Sequence, residues 1–154
     1  MNTSIAGAII AGGKSSRFGD INKARALLGG KTLLKHVHER LRPQVSHLYL
    51  NCQPDFPATD EIDSPSIVQD FLANKTGPLN GVLGALDRSV EDGYEWLLIA
   101  PCDTPFIPVD LATRLLNNAQ WPQSDYDPFL NVNHQSDLCE AAHILKNLNS
   151  ERPN

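Results

Sequence analysis

No two of the three cysteines, Cys52, Cys102 and Cys139, are spaced C-x-x-C, and their number is odd. A zinc knuckle and a disulfide framework are thereby excluded as sources of stability, and a reducing, cytoplasmic setting is expected. Positive charge is not in excess either: 13 Lys and Arg stand against 18 Asp and Glu, a formal net charge of -5. Binding a nucleic-acid backbone needs a clustered basic face, so no nucleic-acid partner is expected, whereas a small anionic ligand needs only local donors. Long apolar runs are also missing. Ile5–Ile10 is too short to span a bilayer and Met1-Asn2-Thr3-Ser4 before it carries no basic stretch, so neither membrane anchoring nor export is expected. His36, His38, His47, His134 and His143 form no H-E-x-x-H spacing and are expected on the surface or in helix packing. Nothing resembles a nucleophile elbow, so a Ser/His/Asp assembly is not expected.

What is present fits an ordinary globular chain of 154 residues, 41% hydrophobic and 20% charged, long enough for one two-sided core. A single domain over residues 1–154 is expected, with no internal repeat and no low-complexity segment. Ile5–Ile10, Leu48–Leu50, Ile67–Val68 and Trp96–Ala100 are short apolar runs rich in branched residues and read as buried strands. Between them, Leu33, Leu34, Val37 and Leu41 recur at helical spacing, as do Leu79, Val82, Leu83 and Leu86, and then Leu111, Leu115 and Leu116. Strand and helix in alternation predict an α/β fold: a Rossmann-like, mostly parallel sheet with helices on both faces. Beyond Gln120 the pattern weakens. Phe129–Asn133 reads as a short strand, and a last helix is expected over Ser136–Leu148, capped by Ser136, with Leu138, Ala141, Ala142 and Leu145 inward and the tail Asn149–Asn154 frayed.

Such folds bind ligands at the carboxyl ends of their strands. Four polar groups fall there: the loop Gly12–Arg17 after the first strand, Asn51 after the second, Asp70 after the third and Asp103 after the fourth. In the loop, Gly12 and Gly13 let the backbone bend and present N–H groups to phosphate oxygens, and Arg17 and Lys23 supply fixed positive charge. The spacing is neither that of a Walker A loop nor G-x-G-x-x-G, and a plain turn with solvated basic residues fits the loop alone equally well. Asp103, within Pro101-Cys102-Asp103-Thr104-Pro105, suits a magnesium ion, which takes one or two carboxylates plus phosphate oxygens and water; capping the following helix is the competing role. Cys102 reads as a small buried hydrophobe. Gly77-Pro78-Leu79-Asn80-Gly81 opens a helix at the same edge, where a flat purine could lie against backbone.

Together these segments resemble the molybdenum cofactor guanylyltransferase family. The resemblance runs over about the first 120 residues, through Ile10-Ala11-Gly12-Gly13-Lys14-Ser15-Ser16-Arg17-Phe18-Gly19, Lys23, Gly30-Lys31-Thr32-Leu33-Leu34-Lys35-His36-Val37, Arg40-Leu41-Arg42-Pro43-Gln44-Val45, Asn51, Gly77-Pro78-Leu79-Asn80-Gly81 and Pro101-Cys102-Asp103-Thr104-Pro105-Phe106. It implies transfer of GMP from Mg-GTP to molybdopterin with release of pyrophosphate. It also implies a site in which Ala11, Gly12, Gly13, Arg17 and Lys23 hold the triphosphate, Asn51 and Asp70 the guanosine beside Gly77 and Gly81, and Asp103 the magnesium. Arg17, Lys23 and Asp103 would be the catalytic groups.

Two departures stand out: Asn22 replaces the Asp that usually precedes the loop lysine, and Asn131-Val132-Asn133 follows the Val109–Ala119 region almost at once, where family members carry several dozen more residues. By the resemblance, residues 1–120 are the nucleotide-binding part and 121–154 a shortened C-terminal part lacking much of the acceptor side. Asn131 or Asn133 would approach the metal, or else satisfy turn backbone. The shortening leaves open a nucleotide-binding relative that acts through cofactor-synthesis and delivery proteins without turnover, or a nucleotidyltransferase with another small phosphate acceptor.

Overall fold

Alternating strand and helix produce the layered arrangement that the apolar periodicity predicts. The computed structural model describes residues 4–12, 23–53, 56, 62, 66–70, 77–117 and 125–150. Strands β1 (Ile5–Ile10), β4 (His47–Asn51), β5 (Ser66–Val68) and β6 (Trp96–Pro101) form a wholly parallel sheet in the order β5-β4-β1-β6. The register sets Ile9 beside Leu50 and Ala100, and Ile10 beside Asn51 and Pro101. All four strands therefore end at one edge. Strands β2 (Leu27–Leu28) and β3 (Lys31–Thr32) form a separate small antiparallel hairpin.

Period-two alternation along β1 sends its side chains to two different cores. Ile9 joins Leu48, Leu50 and Ala100 under helix α1 (Leu33–Leu41) and the start of α3 (Leu111–Leu116). Ala6, Ala8 and Ile10 join Tyr49 and Val68 under α2 (Pro78–Glu91). Thr32 caps α1, its hydroxyl accepting from the Lys35 N–H at 3.1 Å. The central strand is built of small residues because its neighbours crowd it: a Cβ on Gly7 would lie 2.9 Å from Leu48 and 3.0 Å from Val45.

Helix α2 covers the sheet with a different stripe from the one its leucines suggest. Asn80, Gly81, Gly84, Ala85 and Ser89 are buried, whereas Leu79, Leu83 and Leu86 are exposed. Small side chains let this helix sit close to the strands, and its leucine stripe runs along the outer side. At the far end of that face, the Tyr49 hydroxyl donates to Asp92 at 2.6 Å and Arg88 donates to the same oxygen at 3.0 Å. Burial and the Asp92 carboxylate both push the Tyr49 phenol well above its ordinary range.

Helix α4 (Gln135–Ser150) packs on the β2–β3 hairpin in a third core built from Leu28, Leu33, Phe106, Val132 and Ala141. Three expectations about this region change. Phe129–Asn133 is not a strand; it is an irregular segment in which the Val132 N–H donates to the Asp103 carbonyl at 2.8 Å. Ser136 does not cap the helix. Asp137 does, one carboxylate oxygen accepting from both the Asn133 and His134 N–H groups at 2.8 Å, which holds its acid below the usual range. Ala142 is exposed, and Leu138, Ile144, Leu145 and Leu148 accompany Ala141 inward. The helix also continues past Leu148 to Ser150, and residues 151–154 lie outside the described residues.

Candidate functional site

Parallel strands leave their last carbonyl and N–H groups at one rim, and what gathers there depends on which residues end each strand. Asn51 ends β4 and is fully buried. Its Nδ2 donates to the Val68 carbonyl at 3.1 Å and to Asp70 Oδ1 at 3.0 Å. Both partners are acceptors, so the amide has one orientation, with Oδ1 turned toward Gly12 and Gly81. This Oδ1 is buried and has no hydrogen-bond partner. A Cβ on Gly81 would lie 2.1 Å from it and one on Gly12 3.0 Å, with Asp70 Oδ1 at 3.6 Å from the latter. Gly12, Asn51, Asp70 and Gly81 therefore form one tight group, in which neither glycine has room for a side chain. The sequence suggests Gly81 as a bare surface for a purine; in the fold its Cα rests against Asn51.

Gly77 opens α2 at φ +141°, a backbone conformation that only glycine adopts without strain, and Pro78 follows at the first helical position. Nothing lies within 4 Å of where a Gly77 side chain would begin. Ala11 is buried, its N–H donating to the Asn51 carbonyl at 2.8 Å, which ties the start of the glycine loop to β4. Gly13 and Arg17 lie outside the described residues, as does Asn22.

A second group forms around Asp103. Its loop is fixed from beneath: Arg40 donates to the Ile107 carbonyl at 3.1 Å, Gln44 donates to the Pro108 carbonyl at 2.9 Å, and Thr104 donates back to the Pro101 carbonyl at 3.0 Å. Asp103 is buried, 8% exposed, and pairs through Oδ2 with Lys23 Nζ at 3.3 Å, while Oδ1 is buried without a partner. Lys23 also donates to Asn133 Oδ1. The bond from Val132 to the Asp103 carbonyl, next along the chain, brings Asn133 into this group, whereas Asn131 is exposed. Asp103 caps no described helix: the next is α3, which begins eight residues later at Leu111 after Asp110. Cys102 is buried with its thiol pushed up to about 12, chiefly by burial, which suits packing and not nucleophilic attack.

Asp103 fits magnesium by its donor chemistry: one carboxylate with a free buried oxygen suits an ion that takes its remaining ligands from phosphate and water. Among the described residues no three His, Cys, Asp or Glu side chains gather as a metal cage, which would be the arrangement for an all-protein metal site. Among them, too, no helix is long and apolar enough to cross a membrane.

The chain has named relatives among known proteins. The molybdenum cofactor guanylyltransferase of Ralstonia nicotianae is 39% identical over 111 residues, 72% of this chain and 52% of that protein. The putative molybdenum cofactor guanylyltransferase of Neisseria meningitidis is 35% identical over 137 residues, 88% of this chain and 64% of that protein. The chain thus spans about half to under two thirds of the length of these curated relatives. Among solved structures, molybdopterin-guanine dinucleotide biosynthesis protein A from Archaeoglobus fulgidus superposes with a TM-score of 0.64 at 17% identity, covering 92% of this chain and 99% of the other. The 4-diphosphocytidyl-2C-methyl-D-erythritol synthase from Anaerococcus prevotii does so with 0.69 at 11% identity, covering 94% and 99%. At such identities the likeness is one of fold: a Rossmann-like, mostly parallel α/β sheet. Residues 7–147 match the model of the MobA-like NTP transferase domain, and the chain belongs to that family.

Proposed function

We propose that this chain transfers GMP from magnesium-bound GTP to molybdopterin, forming the guanine dinucleotide and releasing pyrophosphate. The observation that carries this reading is the buried, unpartnered Asn51 Oδ1, fixed in orientation beside Asp70. Guanine differs from the other bases in offering N–H donors at both N1 and N2, and an edge of two acceptor oxygens complements that pattern. A buried acceptor without a partner costs about 1–3 kcal/mol, which a donor from the base recovers on binding.

In the proposed reaction an oxygen of the molybdopterin phosphate attacks the α-phosphorus in line. A new P–O bond forms, the bond to the pyrophosphate oxygen breaks, and pyrophosphate leaves with the electron pair. Magnesium held on Asp103 would supply charge neutralisation on the triphosphate. Lys23, kept at the rim by Asp103 and Asn133, would turn its ammonium to the phosphates, joined by Arg17 and by the backbone of Gly12 and Gly13. Positioning and charge account for the acceleration, and no protein nucleophile takes part.

Asn22, which stands where the resemblance has Asp before the loop lysine, favours a second reading, a nucleotide-binding relative that works through cofactor-synthesis or delivery proteins without turnover. Incubation with Mg-GTP and molybdopterin separates the two. Pyrophosphate and the dinucleotide are expected; GTP binding without either product would leave the second reading standing, and no GTP binding would overturn both.

A further inference from the structure

Lys23 stands on a fixed base. It opens the short 3-10 turn Lys23–Arg25, whose Ala24 is fully buried in the core under α1, and its carbonyl accepts from the Ala26 N–H at 3.0 Å. Movement of its ammonium is therefore a rotation of the side chain about a backbone that stays in place. The ammonium meets Asp103 Oδ2 at 3.3 Å and also Asn133 Oδ1. Both side chains of the ion pair are largely covered, Lys23 being 20% exposed and Asp103 12%. Asp103 Oδ1, the other oxygen of the same carboxylate, is buried without a partner.

One carboxylate does not serve two cations equally in such a place. Lys23 and Asp103 together are neutral, and a divalent ion added to the same carboxylate beside the ammonium leaves an excess of positive charge where little water screens it. Of the two cations Lys23 is tethered, so it presents itself to Asp103 at a high effective concentration against an ion from solution. A triphosphate changes this balance. Its oxygens offer the ammonium a new anionic partner, and its negative charge stands between the two cations and offsets their repulsion. With Lys23 drawn onto phosphate, the Asp103 carboxylate is released to a divalent ion, which suits the oxygen that has no partner.

We propose that Lys23 competes with a divalent cation for Asp103, so that metal and triphosphate enter the site together and metal alone is turned away. The inference rests on the proposed function, which gives Lys23 to the phosphates and Asp103 to the metal, but the competition itself is measured without nucleotide. The probe is Mn2+, which favours the same oxygen ligands as magnesium, followed through the paramagnetic resonance of the free ion. Lys23→Met is expected to bind Mn2+ at least about tenfold more tightly than the wild type, within the usual range for coupling between two sites. Its thermal midpoint is expected to rise on addition of Mn2+, where that of the wild type moves little. In the double variant Lys23→Met with Asp103→Asn both gains should disappear. Should Lys23→Met not fold, Lys23→Gln, which keeps a donor for Asp103 without the charge, serves the same comparison. Equal Mn2+ affinity in the wild type and the neutral variant, or a gain that persists without the Asp103 carboxylate, would overturn the proposal. Calorimetry of Mg-GTP binding to the wild type keeps the two readings apart. Binding there, together with equal Mn2+ affinities, overturns the competition alone; absence of binding overturns the proposed function and this inference with it.

Discussion

At the residue scale, Gly81 and Asn51 act as a unit. The amide is held from two sides, so a methyl placed 2.1 Å from its oxygen meets a group that cannot step aside without losing a bond to Val68 or Asp70. We expect Gly81→Ala to lower stability by about 1–3 kcal/mol, the usual range for overpacking, and to weaken GTP binding at least tenfold by calorimetry. Gly12→Ala, whose methyl would sit at 3.0 Å, should be milder. A double variant, Gly81→Ala with Asn51→Ala, should recover stability but not GTP affinity; recovery of both would show that Asn51 makes no contact to the base. For Asp103, replacement by Asn keeps the size of a buried side chain while removing the charge that pairs with Lys23. Magnesium-dependent turnover should vanish with the thermal midpoint little changed, and retained turnover would contradict the role given to Asp103.

At the scale of elements, α4 depends on a single carboxylate for its start. Asp137 accepts from the N–H groups of Asn133 and His134, the two residues that lead into the helix. Asp137→Ala is expected to cost about 1 kcal/mol, the usual value for a lost cap, measured by denaturant titration. The same group gives a pH dependence of known sign. Its acid is lowered in the folded chain, so its contribution is complete above the ordinary value of 3.8 and is lost as the pH falls below that toward the folded value. The acid limb of stability in Asp137→Asn should therefore be shallower below about pH 4 than in the wild type. The leucines of α2 teach a different lesson at this scale. Their spacing announces a helix correctly, yet the stripe against the sheet is made of Gly81, Gly84 and Ala85. Spacing reports a helix from either side of it; only the shape of the surface below decides which stripe is buried.

For the whole molecule, the C-terminal segment is joined to the site through one small core. Val132 is fully buried beside Phe106 and Leu33, and its N–H holds the Asp103 carbonyl, so α4, the hairpin and the rim of the sheet share one contact. Val132→Ala should cost about 2 kcal/mol in global stability, within the range for deleting buried methyl groups. It should also weaken GTP binding, because Asn133 follows it directly and meets Lys23. A variant that lost stability yet bound GTP as tightly as the wild type would uncouple this segment from the site.

The sequence by itself determined the alternation of strand and helix, because the periodicities of apolar residues follow from backbone geometry alone. It likewise placed Asn51, Asp70 and Asp103 at strand ends, since the ends of apolar runs are local features. Two things were decided only by tertiary structure, each depending on groups far apart in the chain. The orientation of the Asn51 amide follows from β4 and β5 lying side by side. The meeting of Lys23, Asp103 and Asn133 spans 110 residues and needs the irregular segment docked where a strand is expected.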